Sequence, residues 1–190
     1  MKATILNGME PDDTSVASVQ RILMDAVQDR HYDVEPFVLH ALDIRPCGGC
    51  FGCWLQTPGR CLMPDTDEIA EAVAASDLII YLTPVRFGGY SSHLKKVVDH
   101  LIFLILPFFR TVNGETHHVP RYTKGPRLLA IGVMDQHDGE SEAIFTDLVE
   151  ANAINMAASR WAGGVIATDQ GIDGSRRAIE NLLADVEVGR

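Results

Sequence analysis

The segment that decides the fold is residues 78–101, which read LIIYLTPVRFGGYSSHLKKVVDHL. Residues 78–83 are predicted to form a strand, and its apolar run 78–82 is typical of a strand buried on both faces of a sheet. The second half of the segment carries apolar residues at helical spacing and predicts a helix from residue 91 to about residue 105. A strand joined to a helix by a short glycine-containing loop is one unit of a parallel α/β sheet.

The same alternation extends to both sides of this segment. Short apolar runs predict strands at residues 2–6, 34–39, 127–133 and 165–168. Helices are predicted at residues 16–27, 65–75, 141–158 and 175–186, with Asp65 as the N-cap of the second. The polar stretch 113–125, with His117 and His118, is expected to be a solvated loop. Five βα units in series predict a doubly wound parallel sheet with helices on both faces.

The ends of the predicted strands locate a ligand site. In such a sheet, ligands bind outside the carboxyl ends of the strands, where the strand order reverses. Three loops should meet there, at residues 7–14, 84–90 and 134–140. The third loop carries Asp135 and Gln136, which are therefore expected close to a bound ligand.

One long segment, residues 41–64, has no periodic pattern and holds all four cysteines. Cys47, Cys50 and Cys53 are each three residues apart, and Cys61 follows a Pro-Gly turn. Four soft thiolates suit zinc or an iron–sulfur cluster, and a C-x2-C-x2-C run is closest to the ferredoxin pattern. Free thiols that line a pocket are a third interpretation. All four cysteines are predicted as metal ligands.

These features resemble the iron–sulfur flavoproteins and their relatives among the NADPH-dependent FMN reductases, over roughly residues 1–170. The resemblance rests on the cysteine spacing and on residues 82–99. It implies a flavodoxin-like sheet of order 2-1-3-4-5, one domain over residues 1–190 with a cysteine-rich insertion at about 41–64, and FMN as cofactor. In the iron–sulfur members the cysteines carry a [4Fe-4S] cluster. The loop that matches the family's isoalloxazine loop comprises Pro84, Val85, Arg86, Phe87, Gly88 and Gly89.

The loop after the first strand departs from the family pattern. The family has Gly-Ser-Pro-Arg there, whereas this chain has carboxylates at Glu10, Asp12 and Asp13. Like charges about 5 Å apart repel by roughly 3 kcal/mol at an effective dielectric constant of 20. A phosphate is therefore expected to be held by Thr14, Ser15 and the first amides of the next helix, with Glu10 and Asp12 turned to solvent. The cofactor contacts predicted for this loop are Asn7, Thr14 and Ser15.

The composition excludes several classes of protein. The chain has 190 residues, 16 basic against 26 acidic side chains and a formal net charge of −10, which disfavours nucleic acid as a partner. Its longest apolar run, residues 101–109, is too short for a bilayer, which needs about 20 residues. No leader peptide is apparent, so a cytoplasmic location is expected. The apolar run 101–109 is instead expected in a subunit interface of a homodimer or homotetramer.

The sequence thus predicts an FMN-dependent oxidoreductase that transfers electrons and holds a cysteine-bound [4Fe-4S] cluster. NAD(P)H is a candidate electron donor, and the partners would be a small-molecule or protein donor and acceptor. One alternative is a cluster-free NAD(P)H-dependent FMN or quinone reductase. A second is a flavin-free binding protein that contains zinc or free thiols.

Overall fold

A computed structural model describes residues 1–188 of the chain. The strands are β1 (Lys2–Asn7), β2 (Asp33–Val38), β3 (Leu78–Pro84), β4 (Ile105–Val112), β5 (Glu115–Pro120), β6 (Arg127–Met134) and β7 (Arg160–Ala167). The helices are α1 (Thr14–Gln28), α2 (Gly52–Leu55), α3 (Asp67–Ala75), α4 (Ser92–His100), α5 (Gly139–Asn155) and α6 (Gly171–Val188). Among these residues no helix combines the length and the hydrophobicity that crossing a membrane requires.

Five strands form one parallel sheet in the order β2-β1-β3-β6-β7. Counted among the five, this is the predicted order 2-1-3-4-5, so the flavodoxin-like fold is confirmed. The central strand β3 is buried along its whole length, as its continuous hydrophobicity predicts. Among residues 1–188, β2 pairs only with β1, which makes it an edge of the sheet, and it carries Pro36 opposite Ile5.

Two apolar layers sandwich the sheet, and alternate residues of β3 belong to each. Ile80 and Leu82 pack with the buried faces of α1 and α6, whereas Ile79 and Tyr81 pack with α3, α4 and α5. This alternation is the period of a β-strand. Both faces of the sheet are therefore covered, and its carboxyl-terminal edge is left for the connecting loops.

The helix predicted for residues 91–105 is shorter in the structure. α4 ends at His100, and residues 101–104 form a 3₁₀ turn that leads into β4. β4 and β5 pair as an antiparallel hairpin, so the stretch 113–125 is not the solvated loop that its polarity predicts. The hairpin turns at Asn113 and Gly114, whose φ angles of +51° and +89° suit a two-residue turn.

The start of α3 also differs from the prediction. Asp65 lies in a 3₁₀ turn before the helix, and α3 begins after Thr66 without a side-chain cap. The Asp65 carboxylate instead binds the guanidinium of Arg45, with Nε–Oδ2 and Nη2–Oδ1 distances of 2.6 and 2.8 Å. Two hydrogen bonds from a guanidinium to the Asp65 carboxylate are stronger than one hydrogen bond from a backbone amide, so the carboxylate does not cap the helix.

Candidate functional site

A polar cleft lies at the carboxyl ends of β1, β3 and β6, where the three predicted loops meet. Its volume is about 300 Å³. The first loop contributes the beginning of α1, the second the residues after β3, and the third the end of β6. The lining residues are Asp12, Asp13, Thr14, Ser15, Pro84, Val85, Arg86, Val133, Met134 and Asp135.

The loop after β3 is a tight hairpin. Arg86 and Gly89 exchange both backbone hydrogen bonds, at N–O distances of 2.9 and 2.8 Å. The two residues between them have positive φ, +51° at Phe87 and +73° at Gly88. A Cβ atom on Gly88 would lie 2.7 Å from Ile144, so only glycine fits there. Phe87, at the tip, is fully exposed to solvent.

The loop after β1 is anchored from below by Asn7. Its side chain is fully buried, donates to Gln20 at 2.5 Å and accepts from the Met9 amide at 2.9 Å. The neighbouring Gly8 accepts from the Ser91 hydroxyl at 2.5 Å, which ties the loop to the start of α4. Asn7 therefore shapes the cleft from beneath, and it is not among the residues that line it.

Carboxylates crowd the end of the cleft at α1. The Asp13 carboxylate caps α1 by accepting from the Val16 amide at 3.1 Å. Asp135 accepts from the Ser15 hydroxyl at 3.5 Å. Asp12, which is exposed, lines the cleft as well. Glu10 is instead paired with Nε2 of His93 at 3.2 Å and does not line it.

The residues of the cleft fit a flavin better at one end than at the other. Around Arg86 the glycine-containing hairpin lies beside a cationic side chain, a suitable edge for a planar heterocycle, although the amides and carbonyls of Arg86 and Gly89 are bonded to each other. At α1 the hydroxyls of Thr14 and Ser15 can donate to a phosphate, but the Asp13 carboxylate already caps the helix. Gln136 is exposed next to Asp135 and lies outside the lining set.

The cysteine segment lies between β2 and α3 and is organised by α2. The helix starts after Phe51, whose φ is +55°, and contains the buried Cys53. Trp54 anchors it to the base of the β4–β5 hairpin, since its Nε1–H donates to the carbonyl oxygens of Ile102 and Ile105. Cys47 and Cys61 are half-buried and Cys50 is exposed.

The four thiols share one neighbourhood, but their sulfurs do not converge. Burial raises the pKa of the Cys53 thiol, and the negative charges of Cys61, Cys47 and, less strongly, Cys50 raise it further. Within residues 1–188, however, no three cysteine, histidine or acidic side chains are close enough to hold a metal ion. The chemistry of the donor set fits an iron–sulfur group, and the sulfurs would have to draw together to bind it.

One residue of this region was not predicted from the sequence. His100, the last residue of α4, is 2% exposed. Its Nδ1 is 3.6 Å from Sγ of Cys61, and its Nε2 is 2.9 Å from the carbonyl oxygen of Arg45. No motif marks this histidine, because its partners lie 39 and 55 residues away.

Comparisons with known proteins support the resemblance. The family model described as NADPH-dependent FMN reductase matches residues 1–125. An iron–sulfur flavoprotein of Methanocaldococcus jannaschii is 30% identical over 100 residues, which cover 52% of this chain and 51% of that protein. The iron–sulfur flavoprotein of Methanosarcina thermophila is 26% identical over 105 residues, which cover 55% and 54%. The match thus spans about half the length of both relatives.

Solved structures resemble the whole chain in fold. The NAD(P)H:quinone oxidoreductase from Methanothermobacter marburgensis has a TM-score of 0.68 at 12% identity, over 96% of this chain and 97% of that one. Smu.1420 from Streptococcus mutans has a TM-score of 0.70, also at 12% identity, over 95% and 100%. At this identity the similarity concerns the fold alone.

Proposed function

Because the chain belongs to the NADPH-dependent FMN reductase family, we propose that it is an oxidoreductase that binds FMN in the cleft at the carboxyl ends of β1, β3 and β6. The observation that carries the proposal is that the residues matched by the family model include most of those that line this cleft. The matched residues 1–125 include the loops that follow β1 and β3, and these two loops supply most of the lining.

Different residues of the cleft would hold different parts of the flavin. The ring rests on residues 84–89, where Gly88 lets the backbone approach closely and Phe87 is free to cover it. The phosphate lies at the start of α1 against the hydroxyls of Thr14 and Ser15. Asn7 supports the loop from below, and Asp135, which accepts from the Ser15 hydroxyl, lies with the exposed Gln136 on the third loop. When bound, FMN supplies an acceptor that takes two electrons as hydride and passes them on singly.

The finer part of the proposal concerns the cysteine segment. Cys47, Cys50, Cys53 and Cys61 would hold a [4Fe-4S] cluster, which would supply a one-electron carrier in addition to the flavin. Three things support this: the C-x2-C-x2-C spacing, the shared neighbourhood of the four thiols, and two relatives that are named iron–sulfur flavoproteins. NAD(P)H is the proposed donor, and a small molecule or a protein is the acceptor.

A second candidate is a cluster-free FMN or quinone reductase that works with NAD(P)H and the flavin alone. It is favoured by the separation of the sulfurs, since within residues 1–188 no three of them are placed to hold a metal. A flavin-free protein with zinc or free thiols is a third candidate, favoured by the carboxylates at the phosphate end of the cleft.

The experiment is to measure FMN, iron, sulfide and zinc in protein purified without oxygen, followed by NAD(P)H oxidation with a quinone acceptor. Gly88→Ala forces a side chain onto φ +73° and into Ile144, so it should lower FMN affinity by at least about tenfold. Gly114→Ala imposes similar strain at φ +89° in the hairpin, with open space around it, and serves as the control.

Equal FMN affinities in these two variants would contradict the proposed flavin position. Full FMN content without iron or sulfide would favour the cluster-free reductase. Protein that takes up no FMN after reconstitution would overturn the proposed function itself.

A further inference from the structure

A second cavity, of about 300 Å³, lies between the last turns of α4 and α5, next to the base of the β4–β5 hairpin. It shares no lining residue with the cleft. The chain leaves α4 at His100, after nine residues, whereas α5 runs for 17 residues to Asn155. The space beside the last turn of α5 is therefore bounded by the 3₁₀ turn 101–104 and the hairpin in place of a helix.

This cavity has a buried inner end and an exposed rim. Tyr81 of β3 lines it and is fully buried, whereas Asp99 and Asn155 line it and are exposed. The rest of the wall is mainly apolar and includes Val98 and the 3₁₀ turn. Ligand pockets in proteins have this composition, an apolar wall with a few polar groups that orient the ligand, and volumes from about 300 Å³ upward.

The hydroxyl group of Tyr81 has unused hydrogen-bonding capacity. It donates to Sδ of Met156 at 3.1 Å, and a thioether sulfur is only a weak acceptor. Among residues 1–188 no group donates to the phenolic oxygen. Burial raises the pKa of Tyr81 above its usual value, so the hydroxyl keeps its proton. An oxygen atom of a ligand would be a stronger acceptor for this proton than the sulfur is.

An unused acceptor lies one helical turn from this sulfur. Asn152 precedes Met156 by four residues, so the two side chains are neighbours on the same face of α5. Nδ2 of Asn152 donates to the carbonyl oxygen of Leu148 at 2.8 Å. Its Oδ1 has no hydrogen-bond partner among the described residues. A hydroxyl group placed between Tyr81 and Asn152 could therefore accept from the first and donate to the second.

The volume and the charge of the cavity narrow the choice of ligand. A cavity of roughly 150 Å³ holds one benzene ring, so twice that volume accommodates two fused rings. The Asp99 carboxylate lines the rim, whereas its partner Lys95, 2.5 Å away, does not. The nearest formal charge that a ligand meets is therefore negative, which disfavours an anion.

We propose that this cavity binds a neutral aromatic compound of two fused rings that carries a hydroxyl group. The rings lie against Val98 and the 3₁₀ turn. The hydroxyl oxygen accepts from Tyr81, and the hydroxyl proton is donated to Oδ1 of Asn152. This site goes beyond the proposed function and can fail separately from it, because it uses no residue of the cleft.

The test is calorimetric titration of the full-length protein with 2-naphthol at pH 7, with and without FMN. One 2-naphthol should bind per chain, and its affinity should be the same in both cases. 2-Naphthoate, which has the same rings and an ionised carboxyl group at this pH, should bind at least about threefold more weakly.

Tyr81→Phe removes the hydroxyl group and keeps the ring in the core. It should weaken 2-naphthol binding by about two- to tenfold, the range that one net hydrogen bond contributes. Naphthalene has no hydroxyl group and should bind this variant and the wild type equally. Tyr90→Phe is the matched control, because Tyr90 is also buried, packs edge-on against Tyr81 with ring centroids 5.7 Å apart, and does not line the cavity.

Val98→Phe tests the position of the rings. Val98 is half-buried in the wall, and the larger side chain should fill the cavity and lower 2-naphthol affinity by at least about tenfold. Its urea midpoint shows whether the variant is folded. Tyr81→Phe decides the question whatever the stability of Val98→Phe, since it adds no atoms to the core.

Any of four results would overturn the site. They are no 2-naphthol binding by the wild type, displacement of 2-naphthol by FMN, equal 2-naphthol affinities in Tyr81→Phe and Tyr90→Phe, and 2-naphthoate binding as tight as that of 2-naphthol. A protein that binds 2-naphthol and takes up no FMN would overturn the proposed function alone.

Discussion

At the scale of single residues, the carboxylates of the cleft determine how tightly a phosphate can be held. Asp12 lines the cleft, whereas Glu10, in the same loop, is drawn away by His93. Asp12→Asn should therefore strengthen FMN binding by roughly two- to tenfold, with the larger effect at low salt because Asp12 is exposed and its charge is screened. Flavin fluorescence quenching measures the affinity.

Glu10→Gln removes the same charge from the same loop and is the matched control, expected to change FMN affinity much less. Riboflavin lacks the phosphate and should not distinguish Asp12→Asn from the wild type. Equal gains for riboflavin and FMN would contradict the electrostatic explanation.

Asp65 gives a second prediction at this scale. Its hydrogen bonds with Arg45 lower the pKa of the carboxyl to about 2. A lowered pKa stabilises the fold above the pKa of the unfolded chain, and this contribution disappears as the pH falls through the folded value. Asp65→Asn should therefore destabilise the protein at pH 7, and the difference in urea midpoint from wild type should shrink progressively as the pH falls from about 5 to about 2. A difference that is constant over this range would show that the carboxylate charge is not responsible.

The same residue shows where reasoning from sequence fails at this scale. Asp65 has the spacing of a helix cap, yet its carboxylate accepts hydrogen bonds from the guanidinium of Arg45, 20 positions earlier. His100 was not predicted as a residue of the cysteine region for a similar reason, because its contacts with the Arg45 carbonyl and the Cys61 sulfur form only in the folded chain. Local spacing carries no information about partners that only the folded chain brings together.

At the scale of elements, the loop after β1 depends on close packing at Gly8. A Cβ atom there would lie 2.6 Å from the Ser91 hydroxyl and 2.7 Å from Cβ of Leu94, so the start of α4 would have to move. Gly8→Ala should lower the free energy of unfolding by about 1–3 kcal/mol. Urea denaturation measures the change.

Gly139→Ala is the corresponding control in the first turn of α5. The nearest atom to its Cβ is Cε1 of His137 at 3.8 Å, so the variant should be neutral or slightly more stable. If Gly8→Ala were as stable as Gly139→Ala, the contact between the loop and α4 would not be tight.

The strands β1, β3 and β6 could be predicted from sequence because each is a mostly buried apolar run that precedes a predicted helix. The edge strand β2 is exposed or half-buried along its length, and β7 begins at Arg160, five residues before its predicted start. The β4–β5 hairpin could not be predicted, since its first strand continues an apolar run that follows α4 directly. Only the Asn113-Gly114 dipeptide signalled the turn. In the cleft, the convergence of the three loops follows from topology, whereas the presence of Asp12 among the lining residues follows from loop conformation.

At the scale of the whole molecule, the hairpin carries the most exposed part of the run 101–109. The sequence predicts that the run 101–109 lies in a subunit interface. Three of its side chains are instead buried in the core of the chain itself and cannot contact a partner, namely Leu101, Phe103 and Leu104. Phe108 and Phe109 remain 64% and 68% exposed. We propose that these two rings, and not the whole run, contact a second copy of the chain.

The double variant Phe108→Ser and Phe109→Ser should raise the dimer dissociation constant by at least about tenfold, because two aromatic rings would leave the interface. Light scattering over a range of concentrations measures the mass. Ile172→Ser, which removes a 68% exposed apolar side chain from α6, should not change it. A wild-type monomer at micromolar concentration would exclude the contact.

The proline in β2 limits the ways in which copies of this chain can associate. An open edge strand presents a row of unpaired amides and carbonyls. A strand of another molecule can pair with them, and such pairing is a route to aggregation. Pro36 removes one amide from that row, and the acidic Asp33 and Glu35 add like-charge repulsion between two such edges. Growth by continuing the sheet from one molecule to the next is disfavoured at this edge.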